Sequence, residues 1–376
     1  MQYTLHLTKA CNFSCSYCGL EKSRAFMSGQ TVRAAMDLIL ADAAASIGVG
    51  FYGGEPLLCK DLIYVSVRYA KEKNTRGKKI FFKLTTNGLL LDDAFLAFAK
   101  QHGILISLSL DGGKQAHDAN RKDAAGQGSY DRLLPIVPQL LAHNPYTGVM
   151  MTLTPNTVPY FHDSVAHIYS LGFMNVICSM DYSADWTAQD LGELKRQYKK
   201  LGELYYQRTI REEKFFFSPF EGKINSHIRR GEYCAEHCKL GYEQISIATD
   251  GTLYPCVQFV DNPAYCIGSV GTGIDQVRRR ELYEHTRAEQ PECRACAIRE
   301  RCLHTCSCIN FVSTGEPTQP SPTLCAAERM LIPIADSVAA RLYKKRDGMF
   351  IHKHYNDLYP LVSLAEDSER TRTSAK

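Results

Sequence analysis

Short β-rich segments alternate with helical patterns over the first 211 residues, and this alternation constrains the fold more than any other feature. Each of six strand-like segments is followed by a helical pattern. Six consecutive strand–helix units predict an α/β fold with a parallel sheet, either wound open or curled into a partial barrel. The predicted strands are Tyr3–Thr8, Val49–Tyr52, Ile80–Thr85, Ile104–Leu110, Val149–Thr154 and Asn175–Met180, and the predicted helices are Thr31–Ala45, Asp61–Lys73, Asp92–His102, Tyr130–Ala142, Pro159–Leu171 and Thr187–Arg211.

The composition is that of a folded globular protein. The 376 residues are 45% apolar and 22% charged, and the net charge of +4 is small for this length. The basic residues are spread along the chain, so we expect no nucleic-acid surface. No apolar run reaches membrane-spanning length, and the first residues lack the pattern of a signal peptide, so we expect a cytoplasmic protein without membrane contact.

The fifteen cysteines are grouped rather than evenly spread. Three lie within the first 18 residues, ten lie between residues 234 and 325, and Cys59 and Cys178 lie between these groups. Thiols stay free in a reducing cytosol and there bind metal when clustered, whereas an odd number does not close a disulfide framework. Two metal-binding regions are therefore predicted.

The amino-terminal group follows directly on the first predicted strand. Three and two residues separate Cys11, Cys15 and Cys18, so their thiolates can converge from one loop. Three thiolates can hold three irons of a four-iron cluster, which leaves the fourth iron open to a small molecule. A zinc site completed by a ligand from elsewhere in the chain is the alternative.

This C-x3-C-x2-C loop resembles the signature of the radical S-adenosylmethionine (radical SAM) superfamily. The resemblance implies a partial (β/α)6 barrel of the TIM type and a 4Fe–4S cluster whose open iron binds the methionine part of S-adenosylmethionine. It also implies reductive cleavage of that cofactor to methionine and a 5′-deoxyadenosyl radical, which abstracts hydrogen from a substrate. Tyr17 matches the aromatic residue that the superfamily places against adenine.

Polar motifs follow three successive predicted strands, at the edge where the chemistry of a parallel sheet gathers. Gly53-Gly54-Glu55-Pro56 resembles the GGEP motif of the superfamily, which binds the amino group of the cofactor. The short polar groups after the third and fourth strands suit a ribose, although each alone would be an ordinary turn. Arg121 could reach a carboxylate or could be a solvated surface residue. The predicted cofactor contacts are Tyr17, Gly53, Gly54, Glu55, Pro56, Thr86, Asn87, Ser109, Asp111 and Arg121.

From about residue 230 the helical periodicity weakens and a hairpin is predicted around Asp250-Gly251. We expect a barrel over residues 1–215, a loop-rich iron–sulfur domain over 216–335, and a helical and polar tail over 336–376 that becomes disordered from Ser368.

The carboxyl-terminal cysteines resemble, in every interval, the seven-cysteine SPASM extension of the superfamily, with Cys234 as an eighth thiol. The resemblance implies two further 4Fe–4S clusters, three in all, although a zinc ribbon is an alternative. If Cys234 is not a ligand, the nearer cluster has an open iron that could bind a substrate thiolate. Cys234, Cys238, Cys256 and Cys306 would hold the nearer cluster, and Cys293, Cys296, Cys302 and Cys325 would hold the outer one. Cys59, Cys178, Cys266 and Cys308 remain as buried free thiols, although Cys308 lies close enough to Cys306 to compete with it.

Superfamily members with a SPASM extension mostly modify ribosomally made peptides or proteins, which leaves crosslinking, epimerisation and formylglycine formation open. Sulfatase maturases usually carry an acidic residue directly after the cysteine that corresponds to Cys256, and Val257 stands there in this chain. This departure favours a thioether or other crosslink. Asp261 lies nearby as an ordinary loop carboxylate, and Cys178 could serve an epimerase only if it faced the barrel interior. An electron-transfer or zinc protein without radical chemistry is a second class of function.

The implied partners are a ribosomal peptide or protein substrate and an electron donor such as flavodoxin or ferredoxin. The first barrel strand begins within a few residues of Met1, so we expect no amino-terminal leader-binding domain. A separate protein would then bind the leader, or the SPASM surface with Arg278-Arg279-Arg280 would do so, although such a run is usually a solvated helix face.

Overall fold

The computed structural model describes residues 1–229, 239–287 and 290–374, with side chains described up to residue 366. One mostly parallel sheet of nine strands dominates it, in the order β7-β6-β5-β4-β3-β2-β1-β8-β9. All six predicted strands are present and each lies beside its neighbour in the chain, so the predicted α/β fold is confirmed. The first seven strands are β1 (Gln2–Thr8), β2 (Ser46–Gly53), β3 (Lys79–Thr86), β4 (Leu105–Ser109), β5 (Gly148–Leu153), β6 (Asn175–Met180) and β7 (Phe216–Phe217).

Helices connect these strands, as predicted, but the fourth predicted helix is broken. Pro135 and Pro138 lie in it, and proline has no N–H to continue the helical hydrogen bonds. The segment therefore forms two short helices joined by a 3-10 turn at Leu134–Ile136. The helices of this part are α1 (Gly29–Ala41), α2 (Lys60–Lys73), α3 (Asp93–His102), α4 (Lys114–Asn120), α5 (Tyr130–Leu133), α6 (Val137–His143), α7 (Phe161–Ser170), α8 (Ala188–Ile210) and α9 (Ser218–Ile228).

Capping residues in the sequence fix where several helices begin and end. The Asp92 side chain accepts a hydrogen bond from the Phe95 N–H at the start of α3, which ends at Gly103 in the left-handed region with φ 65°. Thr187 and Asp190 form a reciprocal capping box at the start of α8. Each such cap contributes about 1 kcal/mol to helix stability.

The two faces of the sheet differ in burial. Tyr3, Leu5 and Leu7 of β1 point to one face and are at most 1% exposed, because that face packs against the helices. The strand register places other large apolar side chains together on the opposite, inner face. This face remains open: Tyr52 is 40% exposed, Phe81 50%, Leu105 47% and Ile177 37%.

The carboxyl-terminal region joins the same sheet at its other edge. The predicted hairpin is present: β8 pairs antiparallel with β9 and parallel with β1. Because β7 and β8 both hydrogen-bond to strands of the first region, the sheet crosses the boundary that we expected at residue 215. The remaining elements are β8 (Gln244–Ile247), β9 (Leu253–Tyr254), β10 (Gly268–Ser269), β11 (Gly273–Ile274), α10 (Gln276–Thr286), α11 (Pro291–Arg294), α12 (Ser307–Thr314), α13 (Pro322–Lys344), α14 (Gly348–Tyr355) and α15 (Tyr359–Ser374).

The long helix α13 packs against α8 and α9 and thereby fixes the carboxyl-terminal region to the barrel helices. The last helix extends to Ser374, whereas we expected disorder from Ser368 onward, so that expectation is wrong for this stretch. In the described ranges no helix has the length and the apolar run that a membrane crossing requires.

Candidate functional site

The loop that follows β1 carries the first three cysteines. Cys11 and Cys15 are half-buried and Cys18 is exposed. Burial raises the pKa of the Cys11 thiol to about 11 and also raises the pKa of Cys15. The thiolate forms therefore need a compensating positive charge, which a bound metal centre would supply.

Backbone hydrogen bonds fix this loop to the end of α4. The Ser14 N–H donates to the Lys122 carbonyl at 2.6 Å, and the Ser16 N–H donates to the Asn120 carbonyl at 3.0 Å. The Ser16 hydroxyl also donates to the Asn120 side-chain oxygen at 2.9 Å. Asn120 is 2% exposed and positions the cysteine loop, a role that no pattern in the sequence indicated.

The two glycines of the Gly-Gly-Glu-Pro motif lie directly against the chain that leads into the cysteine loop. A Cβ on Gly53 would lie 2.3 Å from the Thr8 carbonyl oxygen, and one on Gly54 would lie 2.1 Å from the Ala10 carbonyl oxygen. Gly53 also has a φ of 129°, which other residues rarely adopt. Glycine is therefore required at both positions for the end of β2 to approach the loop before Cys11.

The Glu55 carboxylate is 1% exposed and organises the end of β3. It accepts hydrogen bonds from the Thr86 hydroxyl at 2.7 Å, the Asn87 N–H at 2.8 Å and the Leu57 N–H at 3.0 Å. Burial raises the pKa of Glu55, and the three hydrogen bonds oppose that rise. The Asn87 amide donates to the Asn12 side chain at 2.7 Å, which connects this cluster to the cysteine loop. The structure thus brings Glu55, Thr86 and Asn87 together, and their contact with a cofactor stays a prediction.

A buried ion pair connects the end of β4 to the end of α4. Arg121 donates from Nε and one Nη to the two Asp111 carboxylate oxygens at 2.8 and 2.9 Å. The Tyr17 hydroxyl donates to Asp111 at 3.0 Å, and the Arg121 guanidinium lies 5.4 Å from the centre of the Tyr17 ring. Burial disfavours the charged guanidinium, but the Asp111 carboxylate outweighs it and raises the pKa of Arg121. The alternative of a solvated surface arginine is wrong, because Arg121 is 7% exposed.

His117 supports this ion pair from behind and was not predicted as a site residue. It is fully buried, and its Nδ1 accepts a hydrogen bond from the Asp111 N–H at 3.3 Å. Its Nε2 lies 3.0 Å from the Ser129 hydroxyl. Burial, together with the nearby Arg121 charge, lowers the pKa of His117 to about 4, so the imidazole is neutral at pH 7. Ser109 ends β4 two residues before Asp111 and is 9% exposed.

The four cysteines predicted for the outer cluster line a single cavity of about 390 Å³. Its wall includes Arg329 of α13, whose Nε lies 3.4 Å from the Cys325 sulfur and whose Nη2 lies 3.4 Å from the Cys296 sulfur. Four thiols around a cavity with an adjacent guanidinium fit an anionic thiolate-ligated cluster. The four cysteines are Cys293, Cys296, Cys302 and Cys325.

No three His, Cys, Asp or Glu side chains within residues 1–229, 239–287 and 290–366 converge closely enough to chelate a single metal ion. In a four-iron cluster held by four thiolates each iron takes one of them, so the cysteines of such a cluster need not converge on one point.

The Arg329 contact predicts a measurable effect on the outer cluster. A positive charge beside the cysteine sulfurs favours the more negative, reduced cluster, so Arg329→Gln is expected to lower the outer cluster's reduction potential. Arg329 is exposed, so we expect a shift of roughly 10–40 mV, as for an exposed ion pair in a one-electron couple. EPR-monitored redox titration measures the shift. Lys345→Gln, which removes one charge beyond the other end of α13, is the control, and equal potentials in both variants would contradict the assignment.

The nearer cysteine array is only partly described. Cys234 and Cys238 lie outside the described residues. Cys308, expected to be a free thiol, lies in contact with the array: its Sγ is 2.7 Å from the Cys256 Sγ. The Cys308 thiol lowers the pKa of Cys256 below its usual value and lowers the pKa of Cys306 to about 7. The same contacts raise the pKa of Cys308.

Two aromatic side chains share the inner face of the sheet between the first loop and the carboxyl-terminal region. His6 and Tyr52 are partners in register, and their rings lie 5.4 Å apart, edge to face. His6 is 5% exposed, and its Nε2 is buried without a hydrogen-bond partner. Asp261, expected as an ordinary loop carboxylate, forms an ion pair with Lys9 at 2.7 Å. Burial lowers the pKa of His6 to about 4, while the charge of Asp261 opposes this shift. Neither His6 nor Tyr52 belongs to a motif that the sequence displays.

The other leftover cysteines lie within the packed structure. Cys178 shares a face of β6 with the buried Val176 and packs against the core. Its backbone N–H donates a hydrogen bond to the Ser218 hydroxyl of α9 at 3.0 Å. This is the helix-packed face of the sheet rather than the open inner face. Cys59 is buried in the core with its sulfur 4.0 Å from the Leu7 carbonyl.

The structure is that of an α/β protein in which a three-cysteine loop, buried polar motifs and a thiol-rich domain are all attached to one sheet. The chain belongs to the radical SAM superfamily and carries a SPASM domain. Residues 5–167 match the family described as "Radical SAM superfamily", and residues 238–297 match SPASM, described as "Iron-sulfur cluster-binding domain". The chain is therefore an enzyme of oxidoreductase type, with iron–sulfur clusters and S-adenosylmethionine as its implied cofactors.

Characterised proteins agree with this classification. The chain is 22% identical over 327 residues to the cysteine-type anaerobic sulfatase-maturating enzyme of Clostridium perfringens strain 13, which covers 80% of this chain and 86% of that protein. It is 23% identical to the serine-type anaerobic sulfatase-maturating enzyme of Bacteroides thetaiotaomicron, with 69% of each chain covered.

Solved structures share the fold. Native anSMEcpe with bound AdoMet and Cp18Cys peptide has a TM-score of 0.79 at 18% identity and covers 92% of this chain and 99% of that one. Streptococcus suis SuiB bound to precursor peptide SuiA has a TM-score of 0.61 at 16% identity and covers 86% of this chain and 75% of that one.

Proposed function

We propose that this enzyme crosslinks a ribosomally made peptide, forming a thioether or another bond, and holds three 4Fe–4S clusters for this reaction. When bound, the first cluster and S-adenosylmethionine supply a carbon-centred radical that takes hydrogen from the peptide. Cys11, Cys15 and Cys18 would hold the first cluster. The carboxyl-terminal cysteines would hold two clusters that accept an electron from the substrate.

One observation in particular supports a peptide as the substrate. The inner face of the sheet exposes Tyr52, Phe81, Leu105 and Ile177, each to at least 37%. Large apolar side chains on a shared open face are typical of a binding surface. An extended peptide can bury this surface and present one of its carbon atoms at the carboxyl edge, where the polar motifs gather.

The residues proposed to face the cofactor would act by holding one another and the cysteine loop in place. The close approach of Gly53 and Gly54 to Thr8 and Ala10 holds the end of β2 against the chain that leads into the cysteine loop, where the motif would bind the amino group of the cofactor. Glu55 orients Thr86 and Asn87, and the Asp111–Arg121 pair fixes Tyr17 within the cysteine loop. We propose these groups, together with Pro56 and Ser109, as the S-adenosylmethionine site.

Formylglycine formation is the second candidate, because the relatives at 22% and 23% identity are sulfatase-maturating enzymes. The apolar Val257 after Cys256 gives no proton acceptor at that position. Epimerisation has less support, since Cys178 packs on the helix-covered face rather than on the inner face. We further propose a cytoplasmic enzyme that receives electrons from a flavodoxin or ferredoxin and receives its peptide through a separate leader-binding protein.

Two measurements test the proposal on protein purified and reconstituted without oxygen. The first counts iron, acid-labile sulfide and zinc, and we expect about twelve irons and as many sulfides per chain. In the second, the enzyme is incubated with S-adenosylmethionine, dithionite and a cysteine-containing precursor peptide encoded beside this chain. The peptide product is then analysed by mass spectrometry.

The peptide product separates the candidate reactions. A crosslink removes two hydrogen atoms from the peptide without loss of sulfur. Formylglycine formation from cysteine replaces sulfur with oxygen and also removes two hydrogen atoms, whereas epimerisation in D2O exchanges one hydrogen of the peptide for deuterium. About four irons with bound zinc would mean that the carboxyl-terminal array is structural. No 5′-deoxyadenosine in any reaction would contradict radical chemistry.

A further inference from the structure

The inner face of the sheet carries positive charge and no negative charge on its strands. Side chains alternate along β3, so Lys79, Phe81 and Lys83 point to the same face. Phe81 is 50% exposed on the open inner face, and both lysines are exposed as well. None of the strands β1–β9 contains Asp or Glu. An acidic ligand on this face would therefore meet two cations and no like charge from the strands.

The Lys83 ammonium group has no partner among residues 1–229, 239–287 and 290–366. It takes part in no hydrogen bond or ion pair of these residues. The carboxylates that follow β2 and β4, those of Glu55 and Asp111, are 1% and 0% exposed and accept their hydrogen bonds from other groups. Because an ammonium group can donate three hydrogen bonds, Lys83 is available to a ligand.

The neighbouring strand leaves a gap directly beside Lys83. Gly50 of β2 is in register with Lys83 on one side and with Thr4 of β1 on the other. Apart from its own chain neighbours, a Cβ on Gly50 would meet no atom closer than 3.7 Å, so packing does not require glycine here. Leu105 of β4 is in register on the other side of Lys83 and is 47% exposed. A glycine inside a strand often marks the close approach of another backbone or a ligand, and Gly50 leaves room for a peptide backbone beside the ammonium group.

We propose that the inner face binds an acidic peptide segment, in which an Asp or Glu side chain pairs with Lys83 while apolar neighbours cover Phe81 and Leu105. This inference rests on the proposed peptide-modifying function and names the kind of peptide. Lys83 precedes Thr86 at the end of β3 by three residues, a rise of about 10 Å along a strand. An extended peptide has the same rise, so its acidic residue lies about three to five residues from the residue that reacts at the carboxyl edge.

Binding of two fluorescein-labelled peptides tests the proposal without turnover. One peptide alternates valine with glutamate, and the other has glutamine in place of each glutamate. Fluorescence anisotropy with the reconstituted holoenzyme and S-adenosylmethionine, without oxygen and at low salt, gives the Kd of each peptide. We expect the glutamate peptide to bind about 3–5-fold more tightly, as for a partly exposed ion pair, and the difference to shrink as KCl is added.

Three variants assign this preference to one residue. Lys83→Gln should remove the preference by weakening the binding of the glutamate peptide alone. Lys83→Arg keeps the positive charge and should retain the preference. Lys195→Gln is the matched control, because it removes one exposed positive charge from helix α8 and would weaken any general attraction between the protein and an acidic peptide to the same extent.

Equal binding of the two peptides to the unaltered enzyme, or no binding of either, would overturn the proposal. Equal effects of Lys83→Gln and Lys195→Gln on the glutamate peptide would also overturn it, as would equal weakening of both peptides by Lys83→Gln. The proposed crosslinking is measured separately through its products. Its failure would leave these binding constants unchanged, so the two results can be distinguished.

Discussion

Cys15→Ala is expected to abolish the reductive cleavage of S-adenosylmethionine and to remove about four irons per chain. Cys15 is one of only three thiols in the loop after β1, and two thiolates cannot hold a cluster with one open iron. Production of 5′-deoxyadenosine from S-adenosylmethionine and dithionite should fall to the level measured without enzyme. Chromatographic quantification of 5′-deoxyadenosine and iron analysis check both effects.

Cys59→Ala is the matched control for this variant. Cys59 is 7% exposed in the main core and lies outside both cysteine groups, so its removal should leave iron content and 5′-deoxyadenosine formation unchanged. The remaining eight irons of Cys15→Ala should still give the EPR signals of the carboxyl-terminal clusters. If Cys15→Ala kept its full iron content and its cleavage activity, the loop after β1 would not be the cluster site.

Asp111→Asn is expected to destabilise the protein by about 3–5 kcal/mol, because it leaves the Arg121 charge buried without its partner. The Asp111 side chain is 0% exposed and that of Arg121 is 8% exposed, so water cannot replace the lost carboxylate. The Tyr17 hydroxyl and the Thr152 N–H lose the same anionic acceptor. The midpoint of urea unfolding, followed by circular dichroism under anaerobic conditions, measures the change.

Asp131→Asn provides the comparison. Asp131 pairs with Lys114 at 2.5 Å, but the two side chains are 70% and 58% exposed, so the loss should be at most about 1 kcal/mol. Asp111→Asn should also bind S-adenosylmethionine more weakly, because the Tyr17 hydroxyl in the cysteine loop loses its carboxylate acceptor. Equal unfolding midpoints for the two variants would show that the buried pair contributes no more than a surface pair.

The strands and helices of the barrel could be predicted because their signals are local. Apolar alternation placed all six strands within three residues of their observed ends, and the capping residues Asp92 and Thr187 marked the starts of α3 and α8. The interruption at Pro135 is a local signal as well, because proline cannot continue the hydrogen bonds of a helix. The strand β7 and the pairing of β8 with β1 could not be predicted, because two-residue strands and long-range pairing leave no periodic signal.

The candidate site could likewise be predicted only where its signals are local in the sequence. Cysteine spacing indicated the metal-binding regions, and the resemblance to the SPASM extension implied one cluster for Cys293, Cys296, Cys302 and Cys325. The structure places these four around one cavity. Spacing could not reveal the Cys308 contact, because Cys308 is close to Cys306 in the chain but meets Cys256 only through folding.

The sequence alone determined the class of this protein, because thiol spacing and strand–helix alternation are properties of neighbouring residues. The tertiary structure decided what the polar residues do. Arg121 became a buried partner of Asp111, Glu55 became an organiser of the β3 end, and His6 became an inner-face residue. Each of these outcomes depends on which side chains fold into the low-dielectric interior, where charges and hydrogen-bond groups must find partners.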